Sequence, residues 1–189
     1  MVNRWSFTKK GLRKLHQEKA DPWHLGSSRY EQDKFDKLVE VAQGAPHASI
    51  LEVGCGGGHL TEKLCTISNE VSGFDLSSDA IERARIRAPL ADLFVRDSDE
   101  FDYAAHRVDL IVASEVLYYI DQKQQTLNRM AGCSDYLLTC EAWFLGATLP
   151  RRMEPWKLVK SVSFSRFKQL RWCSIRLWQR NGVTPAFAT

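Results

Sequence analysis

Short apolar runs alternate with amphipathic stretches between residues 31 and 140 of this chain. Runs rich in β-branched and aromatic residues predict strands at 50–53, 70–75, 93–95, 108–113 and 136–140. Apolar residues at helical spacing predict helices at 31–43, 58–65, 77–89 and 121–131. This repeated strand-then-helix order is typical of an α/β fold, with a mostly parallel sheet, right-handed crossovers and helices on both faces.

The pattern becomes less regular after Pro150. Residues 156–159 fit a short helix, and residues 167–172 and 174–179 fit two strands. The link between those two strands is too short for ordinary hairpin geometry. We therefore expect one strand to be missing or displaced, so that the sheet is truncated at its last strands.

Composition narrows the class of protein. The chain has 189 residues, 44% of them hydrophobic, which is enough for one domain with a full core. It has neither an apolar run long enough to span a membrane nor the apolar region of a secretory signal. Its five cysteines are scattered without a C-x-x-C pair, which predicts a reducing cytoplasm and no metal site.

Charge is distributed unevenly. The net charge of +3 combines basic segments at 1–30 and 151–180 with an acidic centre at 31–150. A basic flank is compatible with nucleic-acid binding, although such a segment is more often only a solvated surface. Nucleic acid therefore stays open as a partner but is not favoured.

A glycine-rich turn directly after the first predicted strand is the strongest chemical signal. Gly54 and Gly56 lie in the run G-C-G-G-G, and glycine lets a backbone approach a ligand closely because it has no Cβ. The second predicted strand ends at Asp75-Leu76, about twenty residues further on. An acid at that place in a βαβ unit accepts hydrogen bonds from a ribose diol. Together these residues predict a site for a nucleoside-bearing cofactor.

The spacing also bears on which cofactor binds. A dinucleotide fingerprint needs a small residue at its sixth place, where this chain has His59, and no Gly-Lys-Ser/Thr follows for a Walker loop. Glu52 inside the first strand makes the run E-V-G-C-G, which resembles class I S-adenosyl-L-methionine (SAM)-dependent methyltransferases. The resemblance implies a Rossmann-like fold and a glycine turn that holds the methionine portion of SAM. We expect His59 to begin the following helix near the methionine carboxylate, with a role as a base as the alternative.

Polar residues follow the third and fourth predicted strands, where ligands of parallel sheets bind. Asp97-Ser98 follows the third strand, and the resemblance implies that Asp97 touches the adenine amino group. Ser114-Glu115 and Tyr118-Tyr119 follow the fourth strand. Glu115, Tyr118 and Tyr119 are candidate catalytic residues, because a carboxylate or phenol beside the methyl position can accept or orient an amine proton. The alternative for either tyrosine is a core aromatic whose hydroxyl reaches the rim.

A narrower resemblance rests on three motifs. D-P-W at Asp21–Trp23, S-x-Y-E-Q at 28–32 and S-E-V-L-Y-Y at 114–119 resemble the NodS-like N-methyltransferases over about residues 18–145. That family methylates the free amine of a de-N-acetylated chitooligosaccharide in nodulation-factor synthesis. The resemblance implies SAM-dependent N-methylation of a small acceptor, with an amine of an amino sugar or chitooligosaccharide favoured.

The N-terminal segment is expected to cover the cofactor. Residues 1–30 are polar and basic with isolated aromatics at Trp5, Phe7 and Trp23, which predicts a cap or lid that is poorly ordered without ligand and ordered with it. Trp23, His24, Arg29 and Tyr30 are the candidate lid contacts, with Trp23 alternatively a core anchor. Residues 31–180 then form the SAM-binding domain and residues 181–189 a loose tail.

The candidate cofactor-binding residues are Glu52, Gly54, Gly56, His59, Asp75, Leu76, Asp97, Ser98, Ser114, Trp23, Arg29 and Tyr30. Three other functions stay open: methylation of another small metabolite, RNA binding on a methyltransferase scaffold, and cofactor binding by a regulator without chemistry.

Overall fold

A single mixed sheet organises the chain. The computed structural model describes residues 8–142, 153–166 and 171–184. Within them the strands are β1 (Ser49–Val53), β2 (Glu70–Asp75), β3 (Asp92–Val95), β4 (Leu110–Ser114), β5 (Tyr136–Ala142), β6 (Trp156–Arg166) and β7 (Arg171–Arg180). Their order in the sheet is β3-β2-β1-β4-β5-β7-β6, with parallel pairing from β3 to β5 and antiparallel pairing of β7 with both neighbours.

Helices cover both faces of this sheet. They are α1 (Lys9–Glu18), α2 (Arg29–Ala42), α3 (His59–Leu64), α4 (Ser78–Arg87) and α5 (Lys123–Cys133), with single 3₁₀ turns at Tyr103–Ala105 and Leu117–Tyr119. Strand residues alternate between the faces: Ile50 packs in the cluster that holds Leu38 of α2, and Leu51 packs in the cluster that holds Leu127 of α5. Strands buried on both faces read as continuous apolar runs. The predicted Rossmann-like α/β fold is confirmed.

The prediction for the last third of the chain is wrong in two respects. Residues 156–159 begin β6 and are not helical, and the sheet keeps an antiparallel strand pair at this edge. The break expected near residue 173 is absent, because β7 runs unbroken from Arg171 to Arg180. Leu158 and Val159 are both exposed, and the register of β6 against β7 shifts between Leu158 and Lys160, so the segment lacks a strand's usual alternation. Residues 167–170 of the predicted strand and 185–189 of the predicted tail lie outside the described residues.

Helix α1 is an element that the sequence analysis did not predict. It begins after Thr8, whose side chain accepts a hydrogen bond from the Gly11 N–H, and it buries Leu12 and His16. Arg83 of α4 donates a hydrogen bond to the backbone oxygen of His16 at 2.9 Å. The helix therefore packs beside α4 at the carboxyl edge of the sheet. The ligand-dependent lid assigned to residues 1–30 stays a prediction.

Two negative findings apply to the described residues. Across residues 8–142, 153–166 and 171–184, none of the helices combines the length and the apolar character that crossing a membrane requires. The same ranges contain no group of three or more His, Cys, Asp or Glu side chains suited to hold a metal ion.

Candidate functional site

A cavity of about 470 Å³ lies at the carboxyl ends of the central strands, beneath α1 and the start of α2. This volume falls in the range of roughly 300–1,000 Å³ that is usual for small-molecule sites. Every candidate residue from the sequence except Arg29 lines the cavity. The strand ends and the cap segment therefore meet at one place.

Arg29 lies outside the cavity. Its side chain is 80% exposed and pairs with Asp33 at 3.9 Å on the outer face of α2. The neighbouring Tyr30 is buried and lines the cavity. Successive helical residues point about 100° apart, so Tyr30 and Arg29 cannot face the same side of α2.

The glycine turn after β1 serves packing at one position and access at another. Gly54 and Gly56 both have left-handed backbone, with φ of 71° and 53°. A Cβ on Gly54 would lie 2.5 Å from Val116 Cγ2, whereas a Cβ on Gly56 would meet no atom within 4 Å. Only glycine fits at position 54, because any side chain there would clash with Val116. Gly56 instead faces the open space in which a ligand would lie.

Asp75 is fixed in the cavity wall by backbone donors. Its Oδ2 accepts a hydrogen bond from the Gly56 N–H at 3.1 Å, and its Oδ1 accepts one from the Ser77 N–H at 2.9 Å. Burial raises the pKa of this carboxyl, while the backbone hydrogen bonds from Ser77 and Gly56 favour its charged form. The Leu76 N–H is a third backbone donor to this carboxylate. Because a carboxylate has about four acceptor positions, part of its capacity remains available to a diol.

Glu52 lies below the glycine turn as a buried acid. The Thr61 hydroxyl donates a hydrogen bond of 2.6 Å to Glu52 Oε2, which ties β1 to α3. Burial raises the pKa of Glu52 to about 8, against the opposing effect of the Thr61 hydrogen bond. His59 begins α3 nearby, and burial followed by the charge of Arg87 lowers the pKa of its imidazole. The end of the cavity next to the turn is therefore lined by a largely protonated acid and a neutral ring.

Asp97 lies at the far end of the cavity and is paired with α1. Lys9 Nζ lies 2.9 Å from Asp97 and 2.6 Å from Asp99. Burial opposes the charged form of Lys9, but hydrogen bonds to Asp99 and Asp97 outweigh it and raise the pKa of the ammonium. Ser98 shares a 2.8 Å hydrogen bond with the Tyr103 hydroxyl. The expected adenine end is thus closed by an ion pair between the cap and the sheet.

His16 is a second cavity residue of α1 that sequence reasoning missed. Its side chain is buried, stacks edge-on with Trp23 at 5.1 Å between ring centroids, and leaves Nδ1 without a hydrogen-bond partner. Burial lowers the pKa of the His16 imidazole, although the charge of Asp75 acts the other way. A single histidine in a polar segment carries no sequence signal of this placement.

Glu115 lies at the opposite end, just past β4, in a network of donors. It has left-handed backbone with φ of 54°. Its Oε2 accepts hydrogen bonds of 3.0 Å from the Tyr118 hydroxyl and of 3.0 Å from the Ala142 N–H. Its Oε1 lies 3.3 Å from Lys34 Nζ. The carboxylate is therefore held by two strand-end loops and by α2.

The two candidate tyrosines differ in their surroundings. Burial, and then the Glu115 charge, raises the pKa of Tyr118 far above its ordinary value. Burial raises the pKa of Tyr119 to about 12, although a hydrogen bond with Tyr118 acts the other way. Both rings line the cavity, with centroids 4.5 Å apart. Both phenols therefore stay protonated at neutral pH and act as hydrogen-bond donors.

Lys34 is the functional candidate that sequence reasoning overlooked at this end. It is 3% exposed, and its Nζ lies 2.5 Å from Glu31 Oε2 as well as near Glu115. Burial opposes its charge, but the carboxylates of Glu115 and Glu31 outweigh burial and raise the pKa of the ammonium. The sequence does contain one signal for it. Lys34 lies on the apolar face of α2, one turn before Leu38, where a charged residue is unexpected.

Comparison with known families agrees with this geometry. The family model described as nodulation protein S (NodS) matches residues 8–151. The chain belongs to the NodS family. The match includes α1 and the segment before α2, which contribute the cap side of the cavity.

Curated relatives of this NodS-family chain come from rhizobia and beyond. Nodulation protein S of Azorhizobium caulinodans is 33% identical over 119 residues, which is 61% of this chain and 57% of the relative. That of Sinorhizobium fredii is 36% identical over 114 residues, covering 57% and 52%. A ubiquinone biosynthesis O-methyltransferase of Proteus mirabilis is 28% identical over 103 residues, covering 52% and 42%. The chain thus spans about half the length of the curated relatives it matches.

Solved structures share the fold. The N-methyltransferase NodS from Bradyrhizobium japonicum WM9, in complex with S-adenosyl-L-homocysteine, superposes with a TM-score of 0.75 at 21% identity, covering 92% of this chain and 98% of that one. Magnesium protoporphyrin IX methyltransferase from Synechocystis PCC 6803 gives 0.72 at 16% identity, covering 92% and 99%. At these identities the likeness establishes the Rossmann-like methyltransferase fold of the NodS-family chain.

Proposed function

We propose that this NodS-family chain is a SAM-dependent methyltransferase that acts on a small acceptor, with an amine of an amino sugar or chitooligosaccharide favoured. The observation that carries the proposal is one continuous cavity with two chemically different ends. Asp75 and Gly56 line one end, and Glu115, Tyr118 and Tyr119 line the other. A donor and an acceptor bound there would lie next to each other.

The residues present fit SAM. Asp75 keeps free acceptor positions for a ribose diol, and Gly56 borders open space. Asp97 and Ser98 would lie at the adenine, and Trp23 and Tyr30 close the cavity from the cap side, where aromatic faces attract a sulfonium charge. When bound, SAM supplies a methyl group on a sulfonium, already activated for displacement.

The chain's own contribution would be alignment and charge. Holding two reactants in line can lower a barrier by about 7–11 kcal/mol. Glu115 is immobilised by three donors, so its remaining acceptor capacity is presented in a fixed direction. A carboxylate in that position would hold an acceptor N–H in line or accept the proton that an ammonium must lose. The hydroxyl of Tyr119 would complete the acceptor end.

The decisive experiment is methyl transfer from labelled SAM to a panel of acceptors. We expect label in a de-N-acetylated chitooligosaccharide and none in its fully N-acetylated counterpart, which differs only at the amine. Glu115→Gln should lower turnover about a hundredfold or more, while S-adenosyl-L-homocysteine affinity by calorimetry stays near wild type. A normal single-turnover rate for this variant contradicts the role of Glu115.

The panel also separates the alternatives. A catechol or other phenol tests methylation of another small metabolite, an alternative supported by the match to ubiquinone biosynthesis O-methyltransferases. RNA tests the basic flanks, and strongly salt-dependent binding would favour that reading. Calorimetric cofactor binding without transfer to any acceptor would favour a regulator without chemistry.

A further inference from the structure

Two carboxylates share a buried ammonium at the acceptor end of the cavity. Lys34 Nζ lies 2.5 Å from Glu31 Oε2 on its own helix and 3.3 Å from Glu115 Oε1, which is 81 residues away in the chain. The same Nζ lies 5.7 Å from the centroids of the Tyr30 and Phe35 rings. This arrangement connects α2 directly to the candidate catalytic loop after β4.

Stability alone is a weak reason for such a group. Taking an ammonium and two carboxylates out of water costs free energy that their mutual attraction often fails to recover, and apolar replacements are frequently as stable. Lys34 also occupies a face of α2 where Phe35 and Leu38 are buried in the core. A methionine would fit that face with less desolvation cost, so the buried charge calls for another explanation.

The orientation of Glu115 supplies that explanation. Its left-handed φ of 54° is unfavourable for a residue with a Cβ and places its side chain back towards α2. Tyr118 and the Ala142 N–H bind Oε2, whereas Lys34 binds Oε1. Without Lys34, Oε1 would lose its cationic partner, and the carboxylate would be free to rotate about the contacts that hold Oε2.

We propose that Lys34 is a positioning residue that holds the Glu115 carboxylate aimed at the acceptor, an inference that rests on the proposed methyltransferase function. The other titratable groups around this pair are Glu31, Tyr30, Tyr118, Tyr119, Cys140, Glu141 and Cys173. Lys34 acts through Glu115 and would not need to touch the acceptor. Glu31, on the same helix as Lys34, is the second carboxylate in contact with this single ammonium.

The test compares Lys34→Met with a matched control on the same helix. Lys37 pairs with Glu40 at 2.6 Å three residues further along α2, but on the exposed surface, so Lys37→Met removes a lysine ion pair away from the cavity. Lys34→Met removes the ammonium that contacts the buried Glu31 carboxylate, which lowers the stability of the fold as well. The double variant Glu31→Gln/Lys34→Met removes that charge while still depriving Glu115 of its ammonium.

The first readout needs no ligand. Carboxyl carbons of ¹³C-labelled glutamate are observed by NMR at neutral pH, with the Glu115 signal assigned by its loss in Glu115→Gln. We expect the Glu115 carboxyl signal to shift or broaden in Lys34→Met and in the double variant, but not in Lys37→Met, because Oε1 has lost the contact with Lys34 that fixes the carboxylate. An unchanged Glu115 signal in the double variant overturns the proposal.

The second readout is kinetic. We expect kcat to fall at least about tenfold in both Lys34 variants, with acceptor KM and S-adenosyl-L-homocysteine affinity within about threefold of wild type. Lys34→Arg, which keeps the charge, should recover part of kcat. A purely structural lysine would lower only the melting temperature, and that result also overturns the proposal. If the wild type methylates no acceptor, the proposed function fails, while the ligand-free NMR comparison still decides whether Lys34 positions Glu115.

Discussion

At the scale of single residues, the cavity is built from side chains whose hydrogen-bonding capacity is only partly used inside the protein. Asp75 accepts from backbone N–H groups, among them those of Gly56 and Ser77, and retains part of its acceptor capacity, and His16 leaves Nδ1 without a partner. A buried polar atom without a partner costs about 1–3 kcal/mol. These atoms therefore favour a ligand with hydroxyl and amino groups at this end of the cavity.

Replacing Asp75 tests the ribose assignment. Asp75→Ala removes the acceptor for the diol and should weaken S-adenosyl-L-homocysteine binding by about 1–3 kcal/mol, measured by calorimetry. Asp92→Ala is the control, because Asp92 is an exposed acid on the neighbouring strand β3. Melting curves of both variants separate loss of binding from loss of fold. Equal affinity of wild type and Asp75→Ala would contradict the assignment.

At the scale of elements, α1 decides how the cavity is closed. Three of its residues, Lys9, Leu12 and His16, line the cavity, and Lys9 reaches Asp97 and Asp99 on the sheet side. Ten residues are too few for a stable isolated helix, so α1 depends on these contacts. An element held by a few contacts opens at low free-energy cost. The cap is therefore the part of the fold best suited to respond to a ligand.

Hydrogen exchange tests whether the cap responds. Amide protection across residues 15–30 should increase when S-adenosyl-L-homocysteine is added, because the ligand adds contacts beneath the cap. Lys9→Met should make exchange in α1 severalfold faster without ligand, since it removes the pairing with Asp97 and Asp99. Lys10→Met alters the adjacent, exposed lysine and should change little. Unchanged protection on ligand addition would rule out a ligand-coupled cap.

At the scale of the whole molecule, buried acids make stability depend on pH. Glu141 of β5 is 1% exposed, neither of its oxygens has a hydrogen bond, and Arg176 lies 3.5 Å away. Burial raises the pKa of Glu141 to about 7, despite the Arg176 charge. The folded state therefore binds this proton more tightly than the unfolded state does. The free energy of unfolding should fall as pH rises from about 4.5 to 7, and the loss should persist above that range.

Glu141→Gln tests this dependence. Glutamine has a similar shape and no charge, so the variant should be about as stable as wild type at pH 5. At pH 8 it should be more stable by on the order of 1 kcal/mol, measured by urea unfolding. Glu70→Gln, at an exposed position at the start of β2, is the control. An identical pH dependence of wild type and Glu141→Gln would show that the buried carboxyl does not lower stability.

The sequence by itself determined the central architecture and the positions of most candidate residues. The five parallel strands follow from continuous apolar runs, and the turn after β1 follows from the glycines at Gly54 and Gly56. Asp75 was located because it ends a recognisable strand, and Glu115 because it directly follows one. These signals are local: strand burial, left-handed backbone and the polar end of a strand are all expressed within a few consecutive residues.

The tertiary structure decided what depends on distant partners. It placed Lys34 beside Glu115 and Lys9 beside Asp97, pairs that lie 81 and 88 residues apart. It turned Arg29 to solvent and made residues 156–159 part of an edge strand. The physical reason is that each outcome depends on how α1 and α2 pack against the sheet and on how β6 pairs with β7. The local sequence around a helical lysine is the same whether the ammonium contacts a buried carboxylate or water. In the same way, the sequence of a half-exposed segment does not show whether another strand pairs with it.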